Sequence, residues 1–497
     1  MQTDQKLRVL SDTKFGQRVA EEEQAELANY FVETDSWRRV RDGAVDVIYG
    51  PKGSGKSAIY SLLVDHTSNL GSNGIILISA ENPRGAPAFR GLVADPPLSE
   101  REFENLWRAY FLSLCAEALK KLAPDDSRVQ KLDAVLASAG LVRGESNLSN
   151  LLRRTLNYVK QWRIAGVEGT VHVDPATQML SGVSGKLIFP EHITSKPSDS
   201  LDPEEAFELV QSVLDSYSNS IWIALDRLDV AFSDNEDLEE SALRALFRVY
   251  LELPDLVKLK IFLRTDIWQR ITTAGFREAS HITKHLTIDW DHNSLMNMVI
   301  RRALHNRSIR DAYGAGVDLA QQPIATQETF FYRMFPQQVD GGPSKPKTFS
   351  WMLSRTQDSS GKTAPRELIH LLNSLRDVQV RRLELSTEPL PDGENLFARP
   401  ALKAAMPEVS KVRLEQTLYA EHPNLREYIE QLRGEKTKHN CETLSKIWRV
   451  DSASALERAS KLAKVGLFVQ EGSKEAPEFW VPFLYRDGLD LVQGTAE

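Results

Sequence analysis

The sequence predicts an α/β fold: a parallel sheet with helices on both faces, followed by a helical lid and a C-terminal winged-helix-like domain. Three observations predict it. An apolar run at Val45, Val47 and Ile48 breaks into Gly50-Pro51-Lys52-Gly53-Ser54-Gly55-Lys56-Ser57, after which Ala58, Ile59, Leu62 and Leu63 resume at helical spacing, giving strand, phosphate loop and helix. Two further continuous apolar runs, Gly74 to Ala80 and Ser220 to Asp226, have the character of strands buried on both faces of a parallel sheet. After Ile288 the alternation of strands and helices stops and helical spacing takes over.

Composition bounds the function classes. At 497 residues the chain is too long for one core. Its 41% hydrophobic and 26% charged content are those of a soluble globular protein. No apolar run approaches the ~18–20 residues that span a bilayer. The opening Met-Gln-Thr-Asp-Gln-Lys-Leu-Arg lacks the apolar core of a signal peptide, so the expectation is a cytoplasmic protein without a membrane partner. Cys115 and Cys441 stand apart from each other and from clustered histidines, which suggests neither disulfide nor zinc and makes both apolar fillers. A net charge of −8 argues against a surface that tracks nucleic acid throughout, while leaving a local basic patch open.

The phosphate loop carries the chemistry. Glycines at 50, 53 and 55 can take positive φ without a Cβ penalty, so successive N–H groups turn inward as a nest for phosphate oxygens. The helix that follows aims its N-terminus at the same anion. Gly50, Pro51, Lys52, Gly53, Ser54, Gly55, Lys56, Ser57 and Ala58 are therefore the expected nucleotide-binding stretch for ATP with Mg²⁺. Lys56 would reach the β- and γ-phosphates and the Ser57 hydroxyl would ligate the metal.

Taken in order, residues 1–45 read as a segment entering the nucleotide domain, with an amphipathic helix around Val19 to Val32 and an adenine-side or packing role for Phe15, Gly16 and the residues to Ala20. Residues 46–288 form the nucleotide-binding domain. Within it, Glu102 to Leu122 is a long helix whose aromatic stripe packs the core, and about 124–200 is an insertion with a helix at Leu148 to Val159 and short strands at Val171 to Val173 and Leu187 to Phe189. A helix from Pro203 to Tyr217 leads to the strand that ends in Asp226. A carboxylate there lies where parallel sheets open toward ligands, and its charge is best explained by a cation, so Asp226 joins Ser57 as a metal residue. Many ATPases follow that Asp with a water-polarising Glu; here Arg227 follows, and Asp229 is the nearest replacement, which predicts slow hydrolysis. The acids Asp234, Glu236, Asp237, Glu239 and Glu240 read as a solvated loop. The strand Leu259 to Leu263 delivers Arg264 to the ligand edge, either to report the γ-phosphate or to pair with Asp266 or Asp229.

Residues 289–380 read as a helical lid, with one long helix carrying Leu295 to Asn306 and another opened by Pro365 in its first turn, so that Arg366 sits at a helix start. His370 reads as a core or interface residue. Residues 381–400 read as a linker. Residues 401–497 read as helices followed by a hairpin of Leu467 to Gln470 and Phe479 to Val481, whose acids Glu471, Glu475 and Glu478 favour a protein contact over DNA.

With these parts in place, the chain resembles the bacterial P-loop ATPases of the AAA+ superclass that lie near the STAND, KAP and origin-recognition ATPases. It is most similar to the stand-alone FunZ-like ones. The resemblance rests on Phe15-Gly16 with Ala20-Glu21-Glu22, the phosphate loop, Leu225-Asp226-Arg227-Leu228-Asp229, Phe262-Leu263-Arg264-Thr265-Asp266, Pro365-Arg366-Glu367-Leu368 and Phe479-Trp480-Val481-Pro482. It implies that Asp226 and Asp229 form a KAP-type metal strand, Arg264 a first sensor and Arg366 a second. Such relatives are implied to be ATP-controlled homo-oligomeric switches for a protein effector, many of them in phage defence. The expectation is then a slow Mg²⁺-dependent ATPase switch, with Lys56, Asp226, Asp229, Arg264 and Arg366 carrying turnover. Two other readings stand beside it: a DNA-engaging ATPase using the winged helix with Lys436 and Lys438, and a nucleotide-binding scaffold without turnover.

Overall fold

The apolar runs become the strands of one parallel sheet. In the computed structural model, residues 1–17, 31, 35–80, 99–138, 141, 170–173, 180–184, 203–228, 236–273, 275–359, 361–473 and 476–496 are described. They divide into two units. A sheet unit comprises Glu33–Pro51 and Lys56–Ile288, and a helical unit comprises Met1–Val32, Lys52–Gly55 and Asp289–Glu497.

The strands of the sheet unit are β1 (Val47–Gly50), β2 (Ile75–Ser79), β3 (Thr170–Val173), β4 (Leu180–Ser184), β5 (Ser220–Leu225), β6 (Val257–Arg264) and β7 (His285–Thr287). Five of them form the main sheet in the order β2-β5-β6-β1-β7. Every pairing in it is parallel, with Val47 opposite Ile261 and Ile261 opposite Leu225, so β1 and β5 are one strand apart. Ile221, Trp222, Ile223, Ala224 and Leu225 are each no more than 3% exposed. Because neighbouring side chains point to opposite faces, that burial means both faces of β5 are covered, whereas β2, expected to be buried likewise, stands at the end of the sheet order and is only half-buried.

The helix Glu100–Leu122 supplies much of the cover. Ser99 and Glu102 close a capping box at its start. Phe103, Leu106, Trp107, Tyr110, Phe111, Leu114 and Cys115 are all at most 1% exposed, so the aromatic stripe is core. Each such side chain contributes roughly 1.5–3 kcal/mol. Trp107 Nε1 donates to the Ala242 carbonyl at 2.9 Å and the Tyr110 hydroxyl donates to the Ala80 carbonyl at 2.7 Å, which removes the cost of burying their polar atoms. Burial pushes the Cys115 thiol up to about 12, as suits a filler.

Several expectations are corrected here. The acids from Glu236 onward are not a loop: they open the helix Glu236–Glu252, where carboxylates favour the helix N-terminus. Glu239 is buried against Arg270, which also reaches Glu236 and Glu240, each at 3.4 Å. Strand β3 pairs antiparallel with β4, a strand that carries no expectation. Leu187 to Phe189, the helices at Val19 to Val32 and Leu148 to Val159, and Asp229 and Asp234 lie outside the described residues apart from Phe31. The edge strand β7 and the helix Thr3–Ser11 carry no expectation; each is too short or too polar to stand out.

The helical unit is held by one continuous core running from Val9, Leu10 and Phe15 through the helices His292–His305, Ile324–Met334, Thr348–Thr356, Pro365–Glu384 and Arg399–Arg413 to Leu489. Residues 381–400, expected to link two domains, are built into that core. Leu396 and Phe397 are at most 1% exposed, and the Asn395 amide donates to the carbonyls of Tyr332, Arg333 and Phe335. Toward the C-terminus, β8 (Lys436–Asn440), β9 (Val469–Gly472), β10 (Pro477–Trp480) and β11 (Val492–Thr495) make a sheet in the order β11-β8-β10-β9. The expected hairpin is β9 with β10. Strands β8 and β11 are additional, and their polar sequences Lys-Thr-Lys-His-Asn and Val-Gln-Gly-Thr conceal them. Among the described residues no helix is long and apolar enough to cross a membrane.

A buried ion pair lies deep in the sheet unit. Lys260 on β6 is fully buried, and its ammonium donates to Asp46 Oδ1 at 2.8 Å and to the Val45 carbonyl at 2.6 Å. It also lies 4.2 Å from the centre of the Trp222 ring. The Tyr250 hydroxyl donates to Asp46 Oδ2 at 3.2 Å. Removing one partner strands the other in a low-dielectric interior, so Asp46→Ala should destabilise the protein by about 3–5 kcal/mol. The double variant Asp46→Leu/Lys260→Met should recover much of that loss; urea unfolding of the full chain measures both.

Candidate nucleotide-phosphate site

Strand β1 ends at Gly50, the chain turns through residues 51–55, and the helix Lys56–Asp65 begins at Lys56. Gly53 and Gly55 have φ of +79° and +96°, in the left-handed region that favours glycine. Gly50 does not: it belongs to β1, buried and paired in register with Arg264, so its place is set by the sheet and not by a turn. A Cβ added at Gly55 would meet open space. The Lys56 ammonium donates to the carbonyls of Gly50 at 2.8 Å and Pro51 at 3.0 Å, arching across the turn it belongs to. Ser57 and Ala58 follow in the first turn of the helix.

Asp226 follows the last residue of β5 and is 4% exposed. It therefore stands at the same edge of the sheet as the end of β1, one strand away across β6. The next residue, Arg227, is held at φ +56°, a conformation costly for a side-chain-bearing residue. Leu228 is buried beyond it.

Arg264, the last residue of β6, grips Asp266 with two hydrogen bonds, Nε to Oδ1 at 3.1 Å and Nη2 to Oδ2 at 2.8 Å. Of the alternatives open in the sequence, the pair with Asp266 is present, while Asp229 lies outside the described residues. Burial pushes the Asp266 carboxyl up, but the hydrogen bonds and charge of Arg264, with the charge of Lys56 adding, hold it below the usual carboxylate range. The edge of the sheet thus gathers a lysine, an arginine and two acids.

These residues fit an ATP triphosphate with Mg²⁺. The donor set is that of an anion cradle, and Ser54 Oγ is buried without a hydrogen-bond partner in the described structure. Ser57 and Asp226 carry hard oxygen donors of the kind that Mg²⁺ takes. Among the described residues no cluster of histidine, cysteine and acidic side chains forms a metal site of its own.

The remaining expected residues belong to the helical unit. Phe15 is 1% exposed, with its ring in the core. Its carbonyl accepts from Arg302 at 2.6 Å, and the Gly16 carbonyl accepts from the Asn373 amide at 2.8 Å. Arg366 lies in the first turn of Pro365–Glu384, preceded by Pro365 as expected. Glu367 beside it is clamped by Arg413 at 2.7 Å, which anchors that helix start.

The loop tip Lys52–Gly55 also clusters with the helical unit, a feature with no sequence signal. Lys52 forms an ion pair with Glu421. Trp290 Nε1 donates to the Ser54 carbonyl at 2.7 Å. A Cβ at Gly53 would stand 3.1 Å from Arg366 Cβ and 3.3 Å from Ala364 Cβ.

No protein-family model matches the chain, and no curated protein matches it in sequence. Among solved structures, it is similar to the ORC1 protein of Aeropyrum pernix in complex with DNA, at 13% identity, covering 95% of this chain and 96% of that one, with a TM-score of 0.39.

The two loop glycines should respond differently to a methyl group. Gly55→Ala incurs only the left-handed backbone cost of about 1–2 kcal/mol. Gly53→Ala incurs that cost and the clash with the Arg366 turn, so it should lower the unfolding temperature further and weaken ATP binding more; thermal unfolding with and without ATP compares them.

Proposed function

We propose that the protein is an AAA+-type P-loop ATPase that binds ATP with Mg²⁺, hydrolyses it slowly, and acts as a nucleotide-controlled oligomeric switch or scaffold for a protein effector. The observation that carries this reading is the common edge of one parallel sheet: β1 opens there into a glycine turn ending in Lys56 and Ser57, and β5 ends there in the buried Asp226. Bound ATP supplies the electrophilic γ-phosphorus, and Mg²⁺ neutralises developing charge on the phosphate oxygens.

The chain's own residues do the rest. The N–H groups of residues 52–57 bind the phosphates, and Lys56 exchanges its bonds to the Gly50 and Pro51 carbonyls for phosphate oxygens. Ser57 and Asp226 hold the metal. Arg264 reads the γ-phosphate by leaving or sharing Asp266, and Gly53 packing on the Arg366 turn supports Arg366 as a second reader. Slow turnover follows from Arg227: a guanidinium cannot accept a proton from water. Asp229 is the proposed substitute base.

An effector is favoured over duplex DNA because Lys438, one of the two lysines named for a DNA contact beside Lys436, is engaged by Glu478 at 2.8 Å and Glu471 at 3.6 Å. The family resemblance adds phage defence as the setting in which such a switch would act.

Lys56→Ala should lose ATP binding and turnover together. Asp226→Asn should still bind ATP while phosphate release falls about 100-fold or more, equivalent to about 2.7 kcal/mol of transition-state stabilisation. Light scattering should show a larger mass with ATP and Mg²⁺ than with ADP in the wild type, and no change for Lys56→Ala. Wild-type phosphate release by Lys56→Ala would overturn the assignment.

A further inference from the structure

We propose that the helical unit carries a second anion site, in which Arg355 and Arg486, both stacked on Phe483, take a compact phosphoryl group. Arg355 lies on the helix Thr348–Thr356 and Arg486 on the short turn Phe483–Arg486. Their guanidinium carbons lie 3.6 and 3.9 Å from the centre of the Phe483 ring. Arg355 is also 5.1 Å from Trp351, and Arg486 is 4.6 Å from Trp480.

Two like charges are thus brought to one ring, yet among the described residues neither makes an ion pair. Arg355 Nη1 donates to Ser354 Oγ at 2.9 Å. Arg486 Nε donates to the Val481 carbonyl at 2.9 Å and its Nη1 donates to Gln493 Oε1. Arg486 is 6% exposed, and its Nη2 is buried without a partner. The nearby acids do not neutralise the pair. Asp340 is bound to Lys403 at 2.5 Å, and Asp487 acts on both arginines only from beyond ion-pair range. Burial, then the charge of Arg355, pushes Arg486 down to about 10, against the opposing charge of Asp487.

Aromatic stacking occupies the faces of a guanidinium and leaves its in-plane donors for an oxyanion, which suits a tetrahedral phosphoryl group. Arg355, Phe483 and Trp480 are half-buried, so the site opens to the surface at their end. The ligand is compact because Glu478 on the strand that carries Trp480, Glu471 on its hairpin partner and Asp487 would repel an extended polyanion.

The test uses the full-length Lys56→Ala chain, so that the phosphate loop does not contribute, and follows tryptophan fluorescence at constant ionic strength. Inorganic phosphate and O-phosphoserine should each give a saturable change, and tighter binding of O-phosphoserine would identify a protein-borne phosphate as the source. Arg355→Gln in that background, with unchanged circular dichroism, should weaken binding about tenfold or more, with Arg355→Lys intermediate. A chain that shows no saturable response to either probe up to about 10 mM, a concentration within reach of millimolar affinity, would overturn the proposal. So would an affinity untouched by Arg355→Gln, or duplex DNA binding that depends on Arg355 while neither small probe binds.

Discussion

A parallel strand covered on both faces has no place for a charge except where it ends, and the sheet unit is arranged around that constraint. The central strands β5, β6 and β1 are apolar along most of their length and finish in Asp226, in Arg264 and in the glycine turn before Lys56. Within β6, Lys258 stays half-buried, whereas the fully buried Lys260 is matched to Asp46 just before β1 and covered by Trp222. The charges at the ligand edge are therefore placed by the same burial that builds the core. Arg264 and Asp266 hold each other in a fixed fork, and Lys56 adds its field to the same carboxylate.

Within the helical unit, Lys52–Gly55 is held by Glu421, Trp290 and the Arg366 turn. Glu367 and Arg413 fix the start of the helix on which Gly53 rests, and Arg413 donates to the Tyr485 hydroxyl at 3.3 Å. Tyr485 lies within the same short turn as Phe483 and Arg486. A contiguous set of packed and hydrogen-bonded groups thus runs, inside the helical unit, from the loop tip to the arginine pair.

Legibility in the sequence followed the strength of local signals. The glycine turn, the apolar strands β2 and β5, the capped helix Glu100–Leu122 and the Pro365 helix start each announce themselves through a pattern contained in a few neighbouring residues. The acids at 236–240 misled because charge density is the same in a solvated loop and in a helix start that clamps Arg270. The stretch 381–400 misled because proline, glycine and glutamate mark a turn equally well whether it is free or, as here, pinned through Asn395 and Phe397. Strands β8 and β11 escaped because half-polar strands at a small sheet carry little hydrophobic contrast.

By itself the sequence determined the parallel α/β class, the position of the phosphate turn and the strand that delivers Asp226, because each is written in residues adjacent along the chain. Only the tertiary structure decided that β6 lies between β1 and β5, that Arg264 faces Asp266, that the Phe15 ring is enclosed, and that Lys52 meets Glu421 while Arg355 and Arg486 share Phe483. The longer of these contacts join residues hundreds of positions apart, and no local period or motif encodes which distant surfaces a folded core will bring together.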